Sequence, residues 1–161
     1  MSLARLKEFL DSHNIKYVTI SHSVAYTSQG IAALTHIPGK ELAKTVMVKI
    51  DGALAMAVLP GSSQVDLSRL RTAVGATHAV LASEQEFKDR VPDCETSAMP
   101  PFGNLYDLPV FADESLCRDK EIAFNAGSHR ELVRLAREDF ERLVKPQISK
   151  FATGNIGSVA A

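Results

Sequence analysis

Residues 45–59, Thr-Val-Met-Val-Lys-Ile-Asp-Gly-Ala-Leu-Ala-Met-Ala-Val-Leu, decide the fold of this 161-residue chain. Residues 45–50 and 53–59 each have the alternating, apolar-rich pattern of a strand. Asp51-Gly52 between them is a strong local signal for a two-residue hairpin turn. The sequence therefore predicts an antiparallel hairpin, which argues against a doubly wound parallel sheet.

Helices and shorter strands are predicted on both sides of this hairpin. Residues 3–10 and 140–144 carry apolar residues at helical spacing, which predicts a helix at each. Short strands are predicted at residues 17–21, 79–81, 109–112, 121–125 and 131–135. We expect an α/β domain of the α+β kind, with a mixed, largely antiparallel sheet flanked by helices. Residues 1–151 are predicted to form this single domain, and residues 152–161 a flexible C-terminal tail.

The overall charge limits the partners of the chain. The net charge of −1 excludes a strongly basic surface, so a nucleic-acid partner should be held at one small region, and DNA is not expected. No signal peptide or membrane-length apolar run is present, and Cys94 and Cys117 lack CxxC spacing. These features predict a cytoplasmic protein with reduced thiols and no membrane partner.

Lys44 is the first candidate site residue, because it lies where a short helical stretch is predicted to pass into the first hairpin strand. An ammonium group fixed there can stabilise an anion or a developing oxyanion. The alternative is an ordinary exposed lysine that interacts favourably with a helix C-terminus.

Two loop segments are candidates for a pocket around that charge. Pro100-Pro101-Phe102-Gly103 can form a pocket wall or only a rigid turn. Asn125-Ala126-Gly127 breaks a strand, and its backbone N–H groups can bind an oxyanion or simply make a turn between strands.

The histidines are scattered, and no HxxxH or HExxH pair is present, so no metal site and no cofactor are expected. His22 and His129 lie in candidate pocket loops, where each is either a substrate contact or a structural residue. A Ser/His/Asp triad stays open, although no Gly-x-Ser-x-Gly elbow supports one.

Taken in order, seven segments of the chain resemble the YbaK-type aminoacyl-tRNA deacylases, relatives of the editing domain inserted in bacterial prolyl-tRNA synthetases. The matching segments are residues 22–27, 42–46, 57–61, 65–67, 101–103, 108–115 and 124–127. The resemblance extends over roughly residues 3–144 and implies an editing-domain-like fold.

This resemblance implies metal-free hydrolysis of the ester between a wrong amino acid and its tRNA, without a covalent enzyme intermediate. A positioned water, assisted by the tRNA ribose hydroxyl, would attack the ester carbonyl. The essential lysine of the family falls on Lys44, and its glycine turn falls on Gly127. The residues implied or considered as substrate contacts are His22, Tyr26, Thr27, Thr45, Pro101, Phe102, Gly103, Asn125, Ala126 and His129.

Three departures from the family pattern stand out. Residues 93–100 lack the glycines that the family often carries there, which leaves the amino-acid substrate open. Thr45 stands where the alanine-specific branch of the family has asparagine, which argues against alanyl-tRNA. Ser128-His129 is not a general family feature, so the resemblance implies no role for His129. The expected partners are the acceptor end of an aminoacyl-tRNA and, as a further candidate, a synthetase. The alternatives are a non-catalytic module that binds aminoacyl-tRNA or a synthetase, and a hydrolase of small aminoacyl esters.

Overall fold

The computed structural model describes residues 3–92, 94–95 and 97–154. The helices are α1 (Leu3–Ser12), α2 (Ser28–Thr35), α3 (Leu67–Val74), α4 (Glu84–Phe87) and α5 (Arg137–Val144). The strands are β1 (Tyr17–Ser21), β2 (Ala43–Ile50), β3 (Ala53–Pro60), β4 (Gln64–Val65), β5 (Ala79–Leu81), β6 (Val110–Asp113), β7 (Glu121–Asn125), β8 (Glu131–Ala136), β9 (Gln147–Ser149) and β10 (Ala152–Thr153). Short 3₁₀ helices span Gly39–Glu41, Gly103–Leu105 and Glu114–Arg118.

The predicted hairpin is confirmed, and its strands β2 and β3 pair along their whole length. Asp51 and Gly52 have φ angles of 49° and 85°. Two consecutive positive φ values are what a type I′ hairpin turn requires, and they explain the Asp-Gly pair. The Asp51 carboxylate also accepts hydrogen bonds from the N–H groups of Thr77 and His78, which fixes the turn to the segment before β5.

The strands form two larger sheets and one small pair. The five-stranded sheet has the order β5-β2-β3-β6-β9, in which β6 is parallel to both of its neighbours and the other pairs are antiparallel. An antiparallel three-stranded sheet has the order β1-β8-β7. The prediction of a mixed, largely antiparallel α+β architecture is therefore confirmed.

The main core is built around an aromatic cluster. The Phe102 ring lies 5.5 Å from that of Phe124 and 5.8 Å from that of Phe140, measured between centroids. The ring of Phe9 on α1 lies 6.0 Å from Phe102 in an edge-on arrangement. Edge-to-face and tilted contacts at these distances add stabilisation to the burial of the rings themselves. Phe102 thus joins α1, β7 and α5.

The C-terminal segment is held by a buried carboxylate. Asp113 accepts hydrogen bonds of 2.8 Å from the N–H groups of Phe151 and Ala152, and β10 pairs with β4. The sequence analysis placed Ala152 and Thr153 in a flexible tail, whereas the structure places them in a strand, because this local anchor is not visible as a residue pattern. The rest of the predicted tail, residues 155–161, lies outside the described residues. That residues 1–151 form a single domain stays a prediction.

Candidate active site

Lys44 is the second residue of β2 and follows the 3₁₀ helix Gly39–Glu41, close to the predicted helix-to-strand junction. Its side chain is half-buried, and burial lowers the pKa of its amine below the usual value. Within residues 3–92, 94–95 and 97–154, no ion pair or hydrogen bond of the Lys44 side chain is found. A partly desolvated ammonium group without a protein counter-charge is suited to bind an anion from outside.

A cavity of about 460 Å³ opens beside Lys44. Its lining residues come from the start of β2, the loop before α2, α2 itself, the turn after β3, the end of β7 and the loop that carries Pro100 and Pro101, called the proline-rich loop below. They are Tyr26, Thr27, Gln29, Ile31, Lys44, Thr45, Val46, Gly61, Ser97 and Asn125. The cavity lies where the two larger sheets meet, since Leu42 just before β2 bridges to Ala123 of β7.

The loop before α2 contributes two of the predicted contacts, Tyr26 and Thr27, to the cavity wall. Thr27 is the N-cap of α2, and its hydroxyl oxygen accepts a 3.0 Å hydrogen bond from the N–H of Gly30. Such a cap fixes the first turn of a helix. Tyr26 is 73% exposed, and its ring lies 4.8 Å from the His129 ring. A rigid helix start thus places an exposed aromatic ring at the cavity.

Two polar side chains in the cavity wall have buried atoms that lack a hydrogen-bond partner among the described residues: Thr45 Oγ1 and Asn125 Oδ1. Thr45 is only 9% exposed. Buried polar atoms are nearly always hydrogen-bonded in native proteins, to protein groups or to ordered water, so these two atoms are candidates for contact with a water or a bound substrate. The structure thus brings the predicted contacts Thr45 and Asn125 to the same cavity as Lys44.

The predicted strand break before Gly127 is present, since β7 ends at Asn125, but the N–H groups of Ala126 and Gly127 are already engaged. Gly127 has a φ angle of 95°, in the region that favours glycine. Its N–H donates to the carbonyl oxygen of Ala98 at 2.9 Å, and the Ala126 N–H donates to Glu131 at 3.1 Å. The predicted role of Ala126 and Gly127 as donors to a substrate carbonyl therefore requires these internal bonds to be exchanged.

Pro101, Phe102 and Gly103, predicted as a pocket wall, are buried and are not among the described residues that line the cavity. Phe102 is fully buried in the aromatic core. A Cβ atom at Gly103 would lie 2.5 Å from the Leu108 carbonyl oxygen, so this glycine permits close approach of the protein's own backbone rather than of a ligand. The structure agrees with the alternative of a rigid turn.

Neither histidine is among the described residues that line the cavity, although the His129 ring contacts that of the lining residue Tyr26. The N–H of His22 donates to the Arg130 carbonyl at 2.8 Å, and its Nδ1 lies 2.6 Å from the Ser23 carbonyl oxygen. His129 is 5% exposed, and its Nε2 lies 3.9 Å from a carboxylate oxygen of Glu95. The Nε2 atom of His22 is buried without a hydrogen-bond partner among the described residues. A substrate contact therefore stays a prediction for His22, as it does for His129.

The sequence analysis missed five lining residues: Gln29, Ile31, Val46, Gly61 and Ser97. A signal existed for Gly61, since it follows the second hairpin strand and returns the chain toward Lys44. For Ser97 there was no such signal, because the loop that carries it has no periodicity. The residues that the structure describes contain no group of three or more His, Cys, Asp or Glu side chains arranged to hold a metal ion. They also include no helix long and apolar enough to cross a membrane.

The sequence is similar to proteins that edit aminoacyl-tRNA. A sequence model of the aminoacyl-tRNA editing domain matches residues 22–143. The chain is 30% identical over 152 residues to the multifunctional Ser/Thr-tRNA deacylase ProXp-y of Escherichia coli K12, with 91% of this chain and 90% of that protein covered. It is 26% identical over 86 residues to a proline–tRNA ligase of Bacillus mycoides, covering 53% of this chain but 15% of the ligase.

The fold has solved counterparts. The structure of a candidate trans-editing enzyme for prolyl-tRNA synthetase superposes with a TM-score of 0.80 at 20% sequence identity. The match covers 94% of this chain and 97% of the other.

Proposed function

Because the chain belongs to the family of aminoacyl-tRNA editing domains, we propose that it is a trans-editing deacylase, which hydrolyses the ester between a wrong amino acid and a tRNA. The observation that carries the proposal beyond family membership is the Lys44 amine, half-buried at the wall of a cavity and without a counter-charge among the described residues. An aminoacyl ester is already activated, so the enzyme needs mainly to position water and to stabilise a developing negative charge.

Lys44 supplies that stabilisation in the proposed mechanism. When water attacks the ester carbonyl, the carbonyl oxygen gains negative charge, and the ammonium group of Lys44 interacts with it more strongly than with the neutral substrate. The low dielectric of the partly buried site strengthens this interaction. A contribution from the Gly127 N–H requires that it release the carbonyl of Ala98 when substrate binds.

The remaining steps need no covalent enzyme intermediate. The tRNA ribose hydroxyl next to the ester orients the attacking water by accepting a hydrogen bond from it. When the tetrahedral intermediate collapses, the bond between the carbonyl carbon and the ribose oxygen breaks. That oxygen takes a proton from the neighbouring ribose hydroxyl, which takes one from the added water in the same step. The products are the free amino acid and the uncharged tRNA.

We further propose that the amino acid removed is serine or threonine. Support comes from the E. coli relative, which is a Ser/Thr-tRNA deacylase. It also comes from the cavity wall, where Thr45 Oγ1 and Asn125 Oδ1 lack partners among the described residues. A substrate hydroxyl can donate to the amide oxygen and accept from the threonine hydroxyl. Editing is needed for such side chains because a synthetase pocket rejects near-isosteres by only about 100-fold.

The proposed partners follow from this reaction. The acceptor end of the aminoacyl-tRNA is the substrate, and the near-neutral net charge of −1 implies that only this end is gripped. A synthetase is proposed as a further partner, since part of the chain is similar to a segment of proline–tRNA ligases. We place the protein in the cytoplasm, where tRNAs are charged.

The test is hydrolysis of alanyl-, cysteinyl-, seryl-, threonyl- and prolyl-tRNA by the wild type and by Lys44→Ala. The proposal expects turnover of seryl- and threonyl-tRNA that is lost in the variant. A binding module without catalysis predicts no turnover of any substrate by either protein. A hydrolase of small esters predicts that removing the tRNA from the substrate leaves the rate unchanged.

A further inference from the structure

A second cavity, of about 260 Å³, adjoins the Lys44 cavity along β2. The two cavities share the wall residues Thr45, Val46 and Ser97. A molecule with one part beside Lys44 would reach the second cavity by passing these shared residues. Nothing in the proposed chemistry of the ester itself uses this second space.

The wall of the second cavity is largely apolar. Its remaining residues are Met47, Leu81, Ala82, Glu84, Phe87 and Met99. Leu81 ends the edge strand β5 and is 58% exposed, so its side chain is available for contact. Glu84 brings a carboxylate, and no lysine or arginine is among the described residues of this wall. The wall suits a flat apolar group that carries an amino group, and it does not suit a phosphate.

An aminoacyl ester extends in two directions from the carbonyl that Lys44 contacts. One branch is the amino acid, and a small hydroxylated side chain suits Thr45 and Asn125 in the first cavity. The other branch is the ribose with the terminal adenine, since tRNAs end in adenosine. The faces of a purine are apolar, and its 6-amino group is a hydrogen-bond donor.

We propose that the second cavity binds the terminal adenine of the acceptor end. The base packs on Leu81 and Met47, and the Glu84 carboxylate accepts a hydrogen bond from the 6-amino group. Proteins that recognise single-stranded RNA ends commonly hold an unstacked base in this way, by contact with its face and with its polar edge. The inference rests on the proposed function, because it takes the ester to lie at Lys44.

The experiment compares Leu81→Ala with Val80→Ala on two substrates. Val80 is the adjacent residue of β5, is 48% exposed and points to the opposite face of the strand, so it is a matched control. The substrates are seryl-tRNA and the 3′-seryl ester of methyl ribofuranoside, which keeps the neighbouring ribose hydroxyl and lacks the adenine. Leu81→Ala should lower the ratio of the two kcat/KM values, tRNA over ribofuranoside ester, by roughly 5- to 20-fold. An unchanged ratio, or an equal fall in Val80→Ala, would overturn the inference.

A binding measurement separates this inference from the proposed function. Adenosine is titrated into the protein while the methionine methyl resonances are followed by NMR. Met47 and Met99 lie in the wall of the second cavity, whereas Met56 is fully buried in the core and serves as an internal reference. Saturable shifts at Met47 and Met99 alone support the site even if no aminoacyl-tRNA is hydrolysed. Unchanged methyl signals at both residues overturn it.

Discussion

The N–H of Gly127 donates a 2.9 Å hydrogen bond to the carbonyl oxygen of Ala98. The carbonyl of Gly127 in turn accepts a 2.9 Å hydrogen bond from the N–H of Glu95. These two bonds tie the proline-rich loop to the end of β7. Because Ser97 of this loop lines both cavities, the conformation of the glycine turn sets the shape of the candidate active site.

Replacing this glycine should therefore damage both stability and activity. In Gly127→Ala the φ angle of 95° is unfavourable for an L-residue and costs about 1–2 kcal/mol, measured by chemical denaturation. We expect kcat/KM on seryl-tRNA to fall as well, because the loop moves with the turn. Gly52→Ala is the control, since Gly52 has a similar φ of 85° in the β2–β3 turn. Gly52→Ala should lose comparable stability and keep its activity on seryl-tRNA. If Gly127→Ala also keeps its activity, the glycine turn does not shape the site.

Lys44→Met should separate stability from catalysis. Removing an oxyanion donor typically costs 10²–10³ in kcat, so we expect a fall of about 100- to 1000-fold. The unfolding temperature should stay equal or rise, because methionine removes the cost of burying an ammonium group. Lys16→Met, at an exposed position, should change neither quantity. A large loss of stability in Lys44→Met would mean that the lysine is mainly structural.

The lowered pKa of Lys44 also predicts how the difference in stability between Lys44→Met and the wild type depends on pH. The folded state releases the proton of Lys44 at a lower pH than the unfolded chain does. Between those two pKa values the unfolded state binds more protons, so the contribution of Lys44 to stability rises with pH. The stability advantage of Lys44→Met should thus shrink at alkaline pH. The measurement is the free energy of unfolding of the wild type, Lys44→Met and the control Lys16→Met at neutral and at alkaline pH. If the advantage of Lys44→Met over the wild type is the same at both pH values, the prediction is wrong.

Thr45 should determine preference for a hydroxylated amino acid. Thr45→Val keeps the shape of the side chain and removes the hydroxyl, so we expect the ratio of seryl- to alanyl-tRNA hydrolysis to fall about tenfold. Stability should be unchanged or higher, because the buried Oγ1 has no partner among the described residues. Thr45→Ser retains the hydroxyl and should retain the preference. An equal preference in Thr45→Val would exclude this role.

Glu86 should contribute to acid sensitivity. Its pKa is lowered to about 2 by the side-chain hydrogen bond from Lys49 and by the bonds with Ser83 in the capping box of α4. A lowered carboxyl pKa contributes stability above pH 4.5 that is lost as the pH falls toward about 2. In Glu86→Gln this part of the pH dependence should disappear. The pair is exposed, so we expect a small effect that salt weakens further. Denaturation at several pH values and two salt concentrations measures it.

Local signals in the sequence predicted the hairpin and the position of Lys44, since Asp-Gly turn chemistry and strand patterns act over a few residues. The burial of Phe102 could not be predicted in the same way. Its position next to two prolines and a glycine resembles a pocket loop, but its ring packs against helices distant in sequence. The engagement of the Gly127 N–H by Ala98 is likewise a contact between two loops. Strands as short as β4 and β10 carry too few residues to show a pattern.

The anchor formed by Asp113 has a consequence for how the protein is made. Burial by itself would raise the pKa of this carboxyl, but hydrogen bonds from Ser115, Phe151 and Ala152 keep it low. Two of these partners lie 38 and 39 residues further along the chain. During synthesis Ser115 is available early to donate to this carboxylate, whereas the bonds from Phe151 and Ala152 form only after residues 151 and 152 have left the ribosome. Strand β9, the edge strand beside β6, is likewise made after the central hairpin, so this edge of the sheet is completed after the hairpin has been synthesised.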